Sequence, residues 1–134
     1  MNEQATKKIE SLLMEWAEST RHDKKDSILN NHFPNAVIFD VLAPMQYQGT
    51  EAYRKSFDEW QPPFETPSLF ELKELRITSG EEVGFAHCLI SCGGTLPDGK
   101  EIRDTVRATF CFSKVDETWH VAHHHISTPA KTGN

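Results

Sequence analysis

Little in this sequence points toward membranes, nucleic acids or disulfide chemistry. No run of about 18 apolar residues occurs, so no helical membrane span is expected. Basic residues are outnumbered, 14 Lys and Arg against 20 Asp and Glu, for a formal net charge of −6. A domain of that sign carries no electrostatic footprint for nucleic acid. Cysteine occurs three times, at 88, 92 and 111, with no Cys-x-x-Cys zinc spacing. Cys88 and Cys92 stand four apart on an expected strand, hence about 13 Å apart at the strand rise and too far to bridge. All three read as reduced thiols of a cytoplasmic protein. The segment MNEQATKKIESLLMEW lacks the apolar stretch and small-residue cleavage site of a signal peptide. There is no internal repeat, low-complexity tract or interior linker. What is present is 134 residues, 37% hydrophobic and 25% charged. That is the composition of one ordinary globular domain, expected over residues 1–128 with 129–134 as a flexible tail.

Apolar residues at Ile9, Leu12, Leu13, Trp16 and Ala17 follow the spacing i, i+3, i+4, i+7, i+8. They predict an amphipathic helix from Glu3 to about Arg21. A second, shorter helix is expected from about Asp23 to Asn31, with Ile28 and Leu29 inward, until His32-Phe33-Pro34-Asn35 breaks it. Residues 36–41 form a short strand of β-branched and aromatic residues, and 42–49 a loop. A third helix is expected from Gly49 to about Trp60, capped by Thr50 and ended by Pro62-Pro63. Long strands follow at 70–78, 82–92, 101–114 and 118–127. Ser79-Gly80-Glu81, then Gly93-Gly94 with Pro97-Asp98-Gly99, then Asp116-Glu117 separate them. Helices first and a strand meander afterwards give an α+β fold, a curved antiparallel sheet wrapping the N-terminal helices.

Strict alternation sorts the strand faces. On the last strand Trp119, Val121, His123, His125 and Ser127 share one face, and His120, Ala122, His124 and Ile126 the other. On the third long strand Arg103, Thr105, Arg107, Thr109 and Cys111 oppose Val106, Ala108, Phe110 and Phe112. On the second, Val83, Phe85, His87, Leu89 and Ser91 oppose Gly84, Ala86, Cys88, Ile90 and Cys92. Apolar residues on both faces call for cover on both, and a second copy against the outer face, a homodimer, is the expected cover. Arg107, His123, His125 and His87 are expected inside the cup with Asp40, the carboxylate at the end of the first strand. An Asp beside His and Arg in an apolar cup is the usual material of acid–base sites. The same residues also read as a structural Asp40–Arg107 ion pair with satisfied core histidines. His123 and His125 could share a metal ion with His87 or Asp40, but no spacing requires one, so neither metal nor cofactor is expected. Trp16, Tyr53, Phe57 and Trp60 are the expected apolar walls.

These residues, in this order, resemble a known family. Trp119-His120-Val121-Ala122-His123-His124-His125-Ile126-Ser127-Thr128-Pro129 resembles the closing W-x-V/I-x-H-x-H-x-S-x-P segment of SnoaL-like proteins. Arg107-Ala108-Thr109-Phe110 with Lys114 resembles their preceding R-x-T strand. Asn35-Ala36-Val37-Ile38-Phe39-Asp40, followed by Gly49-Thr50-Glu51-Ala52-Tyr53, resembles their first strand and G-x-E-A-I/Y helix. The resemblance spans nearly the whole chain. It implies the nuclear transport factor 2-like fold, a cystatin-like roll whose cone-shaped sheet admits ligands at its open end and forms dimers through its outer face. That superfamily holds ketosteroid isomerases, polyketide cyclases, limonene epoxide hydrolases and dehydratases beside non-enzymatic transport and association domains.

The resemblance puts Asp40 where the isomerases carry their general base. There an Asp removes a proton beside a carbonyl, and a tyrosine with a protonated carboxylic acid stabilises the enolate. Trp16 stands where the first helix would carry that tyrosine. No acid lies on the face running from Arg103 to Thr109, so Arg107 or a protonated histidine is expected to take over. The Asp-Arg-Asp set of the epoxide hydrolases has no counterpart. The expected function is an isomerase, cyclase or dehydratase acting on an apolar carbonyl compound. Asp40 is its base, His125 or His123 a second acid–base group, and Arg107 the oxyanion or carboxylate partner. The expected ligand is small and apolar or carboxylate-bearing, with no nucleic-acid or membrane partner. The alternative is a non-catalytic ligand-binding or association module on the same fold, in which Arg107 grips a carboxylate.

Overall fold

A computed structural model describes residues 2–60 and 62–130, apart from the side chains of Asp58 and Trp60. The stripe read from the sequence becomes the buried edge of α1 (Glu3–Arg21), where Ala5, Ile9, Leu12, Leu13, Trp16 and Ala17 are all buried. Asn2 caps this helix, its Oδ1 accepting the Ala5 N–H at 3.0 Å, which satisfies one of the orphan donors of the first turn. Two helices and six strands follow one another as α1, β1 (His32–Phe39), β2 (Tyr47–Gln48), α2 (Thr50–Trp60), β3 (Leu69–Ser79), β4 (Val83–Thr95), β5 (Glu101–Val115) and β6 (Thr118–Ser127). The strands form one curved, unclosed sheet in the order β2-β1-β6-β5-β4-β3. No helix among the described residues is long and apolar enough to cross a membrane.

β3 to β6 make the expected antiparallel meander. β1 joins it parallel to β6, a pairing open to it because the connection between the two strands is long. α1 is strapped to β3 at both ends. At one end Asn2 N–H donates to the Ser79 carbonyl at 3.3 Å, and the Thr6 and Ser79 hydroxyls are 2.8 Å apart. At the other, Ser68 N–H donates to the Arg21 carbonyl at 2.8 Å and the Arg21 guanidinium donates to the Phe70 carbonyl. Between these straps the helix buries its apolar edge against Ile90, Phe110 and Phe112 of the sheet. Each such side chain contributes roughly 1.5–3 kcal/mol through burial.

Five features depart from the sequence expectation. Residues 23–31 form successive turns, closed by bonds such as Ser27 N–H to Lys24 O at 2.8 Å and Asn30 N–H to Ser27 O at 3.1 Å. Asp23, in the left-handed region at φ 52°, stops α1, and only Ile28 in this segment is fully buried, too little apolar surface to hold a helix. The first strand begins at His32 rather than at Ala36. β2 occupies part of the expected loop, and Gly93-Gly94 lies within β4 rather than in a turn. β3 and β6 each carry one extra residue. In β3 the register slips between Lys73 and Arg76, where Glu74 adopts φ 54°. In β6, Phe112 faces Val121 and Cys111 faces His123, leaving Ala122 as a bulge. Residues 131–134 of the expected tail lie outside the described residues.

Gly93 is required where it stands. Its φ is 137°, and a Cβ there would lie 1.9 Å from the Ile102 carbonyl oxygen on β5. Gly80, by contrast, has room for a methyl group, with 3.5 Å to the Val83 carbonyl oxygen. Gly93→Ala is expected to lose at least about 2 kcal/mol in urea unfolding, and Gly80→Ala to stay within about 0.5 kcal/mol of the parent.

Candidate functional site

A cup of about 350 Å³ is walled by Trp16 from α1, Tyr53 and Phe57 from α2, Phe64 from the following loop, and Phe70 from β3. Its polar side chains include Asp40, Asp104, Thr20 and Cys92. No lysine, arginine or histidine is among the lining residues. Asp40 stands one residue beyond β1, where the chain leaves the sheet. The Val41 N–H donates to its Oδ1 at 2.7 Å, and the Tyr53 hydroxyl donates to its Oδ2. Tyr53 is itself fixed by edge contacts with Tyr47 and Phe57, both at 5.1 Å between ring centroids.

Burial raises the Asp40 pKa above the ordinary carboxylate value. The bonds from Tyr53 and Val41 and the charge of His125 pull the other way and are outweighed. Burial likewise pushes the Tyr53 hydroxyl up, reinforced by the neighbouring Asp40 charge, so it acts as a neutral donor. Cys92 faces Asp104 across the β4–β5 ladder. Its thiol is raised by burial first, then by Asp104 and Asp40. Both carboxylates thus act on one sulfur, which is held protonated and unreactive.

The cup gathers Asp40, Trp16, Tyr53 and Phe57 as the sequence reading expected; Trp60's side chain lies outside the described residues. Arg107, His123, His125 and His87 are not in it. Phe110 and Phe112 are buried against α1 and Val106 lines the cup, so the alternate residue Arg107 points outward. There its Nε donates to the Ser127 hydroxyl at 3.0 Å. His87 shares an outer groove with Arg76, Arg107, Thr109 and His125. His123 and His125 are turned out by the extra residue at Ala122, which shifts the phase of β6. Trp119 and Val121 point inward before the bulge, His124 and Ile126 after it. His123 then donates through Nδ1 to the Val37 carbonyl, and both outer imidazoles lie edge-on to Phe39. An Asp40–Arg107 ion pair is therefore ruled out.

Asp104, the acid that the sequence reading did not find, lines the cup while remaining exposed, because it shares the face of Val106 and Ala108. That signal was available in the apolar alternation of the strand. Phe64 had no signal of this kind. It lies on a loop and reaches the cup by packing on Gly94, where a Cβ would come within 2.8 Å of its ring. Among the described residues no group of three His, Cys, Asp or Glu is placed to hold a metal ion.

The SnoaL-like domain pattern is matched by residues 9–131. The chain belongs to the SnoaL-like family. Among solved structures it is similar to a nuclear transport factor 2-like protein of unknown function from Pseudomonas putida, with 26% identity and a TM-score of 0.87 over 98% of this chain and 91% of that one. It also resembles a ketosteroid isomerase-like protein from Erwinia carotovora atroseptica, at 14% identity and TM-score 0.77 over 98% and 100% of the two chains. A nuclear transport factor 2-like superfamily protein from Salmonella enterica gives 19% identity and TM-score 0.77 over 97% and 94%. The last two similarities establish the fold. No curated protein sequence matches the chain.

Beneath the cup this SnoaL-like domain holds a second polar pair. His32 Nε2 and His124 Nδ1 are 2.8 Å apart in one hydrogen bond. His124 is 0% exposed, enclosed by the rings of Trp16, Tyr53 and Phe110. Whichever imidazole donates, His32 Nδ1 and His124 Nε2 are left without partners among the described residues. Burial lowers the His32 pKa from 6.5 to about 4. Burial, then the charge of His32 and the flanking histidines, lowers that of His124 well below its ordinary value. Both rings are neutral in the folded protein.

The unfolded chain therefore takes up protons near pH 6.5 that the folded chain refuses, and stability present above pH 6.5 is lost as pH falls toward 4. His32 alone accounts for a loss of about 2 kcal/mol by pH 5, and His124 adds to it. The raised pKa of Asp40 acts in the opposite sense and offsets part of the loss in its own titration range. Thermal melts are expected to show Tm falling by roughly 5 °C or more between pH 7.5 and pH 5.

Proposed function

We propose that the cup is an acid–base site in which Asp40 moves a proton at a carbon next to a carbonyl group of a small apolar compound. The observation that carries this reading is a single carboxylate, desolvated enough to be a stronger base than usual, aimed by two hydrogen bonds in an aromatic cup. The ionised Asp40 takes the α-proton and becomes a neutral acid, while the substrate becomes an enolate. Asp40 then returns the proton to a conjugated carbon in an isomerisation, or a β-substituent leaves in an elimination. Neither course needs an oxidant. Tyr53 and the Val41 N–H hold the carboxylate in one orientation throughout. The Trp16 ring lines the cup as one of its apolar walls. Membership of the SnoaL-like family and the shared fold of a ketosteroid isomerase-like protein support this class of chemistry, as analogy. The second acid–base role expected for His125 or His123, and the oxyanion role expected for Arg107, have no support from their outward positions.

The outer face supports a homodimer. Val83, Phe85 and Leu89 of β4 stand on it with their side chains open to water, Phe85 at 48% exposure. A second copy would remove that apolar surface from solvent.

In D2O, loss of the α-proton signals of 2-tetralone followed by NMR is expected with the wild-type protein. Asp40→Asn should slow it by about 10²- to 10⁴-fold; an unchanged rate would remove Asp40 from the mechanism. Because the base must be ionised, the rate should fall as pH drops through the raised Asp40 pKa. Tyr53→Phe removes a bond that favours the carboxylate, so the acid limb should move to higher pH. Sedimentation equilibrium should give the mass of two chains for the wild type and of one for Phe85→Asp.

A further inference from the structure

The enolate in this reaction has no protein cation to meet it. Asp40 and Asp104 lie close enough together to act on the same Cys92 thiol, and the lining residues include no lysine, arginine or histidine. Arg21, the single arginine of α1, is committed to the Phe70 carbonyl and to Glu18. Arg107 and the two histidines once expected to supply positive charge face outward. A carboxylate-bearing ligand would bring a third negative charge into a partly desolvated space, where like charges repel far more strongly than in water.

Resting on the reading of Asp40 as the base, we infer that the ligand supplies the missing cation itself: it is a small apolar amine, and as substrate an amino ketone. Two features of the cup fit such a molecule. The Asp104 carboxylate is the one not engaged by Tyr53, and it suits an ammonium group. The rings of Trp16, Phe64 and Phe70 line the cup, and aromatic rings are favoured neighbours of a cation. Proton transfer to Asp40 leaves the total charge of the cup unchanged for any substrate, but from an ammonium ketone the enolate forms as a zwitterion whose own nitrogen offsets its charge beside Asp104. The substrate's own nitrogen does what an arginine would do in a cup built the other way.

Calorimetric titration at pH 7 with three probes on one ring system tests this: tryptamine, indole-3-ethanol and indole-3-propionate carry charges of +1, 0 and −1. Tryptamine is expected to bind about tenfold or more tightly than the alcohol, and the propionate more weakly than either. Asp104→Asn, checked for an unchanged circular dichroism spectrum, should bring the amine-to-alcohol ratio toward one. If that variant does not fold, the wild-type ratio alone decides. Equal or tighter binding of the propionate or the alcohol overturns the charge inference. With 2-tetralone exchange still dependent on Asp40, the acid–base reading would survive that result. Failure of all three probes to bind at millimolar concentration, with no 2-tetralone exchange, overturns both.

Discussion

Trp16 stands edge-on to both Phe70 and Phe110, with ring centroids at 5.1 and 5.0 Å, and much of the structure hangs on that wedge. Edge-to-face contacts of this kind contribute beyond simple area burial and fix the angle between rings. Here they set how far α1 sinks into the sheet, because the straps at Ser79 and Phe70 hold the helix ends but not its depth. The same indole forms a wall of the cup on one side and covers His124 on the other. One side chain thus separates a wet, ligand-sized space from a dry polar pair.

The two polar centres on either side of it follow opposite rules. His32 and His124 are fully enclosed, and burial keeps them neutral, which makes them costly to protonate but harmless at neutral pH. Asp40 is at the boundary. Burial raises its affinity for a proton, yet the Tyr53 hydroxyl and the Val41 amide keep its ionised form within reach. A group balanced in this way can both take and return a proton. Asp104 shares the cup without comparable hydrogen bonds from the protein among the described residues, apart from the Thr105 amide at 2.8 Å. It is available to something that enters.

The elements were legible in the sequence where a long apolar period existed. The α1 stripe, α2 after Gly49, and the four long strands needed only the two spacings of helix and strand. The 23–31 segment was misread because short polar turns and a short polar helix share the same composition. The site was half legible. Asp40, Trp16, Tyr53 and Phe57 are inside because each belongs to an element whose orientation its neighbours reveal. Arg107 was assigned inward against the evidence of Phe110 and Phe112, whose burial is worth more than any ion pair the cup could have offered. The histidines of β6 could not have been sorted. A bulge adds a residue without a compositional mark, and Ala122 is an unremarkable residue for a strand.

That unmarked alanine has a consequence for which changes of length the strand can absorb. Deleting Ala122 would join Val121, the partner of Phe112, directly to His123, the partner of Cys111, and so restore plain alternation with both faces kept. His123 and His125 would still face outward and His124 the helix. Loss of His123 instead would let Ala122 enter the ladder opposite Cys111, again with His124 inward. A strand of this design holds one spare residue, and a regular strand would answer the same deletion by turning every later side chain over.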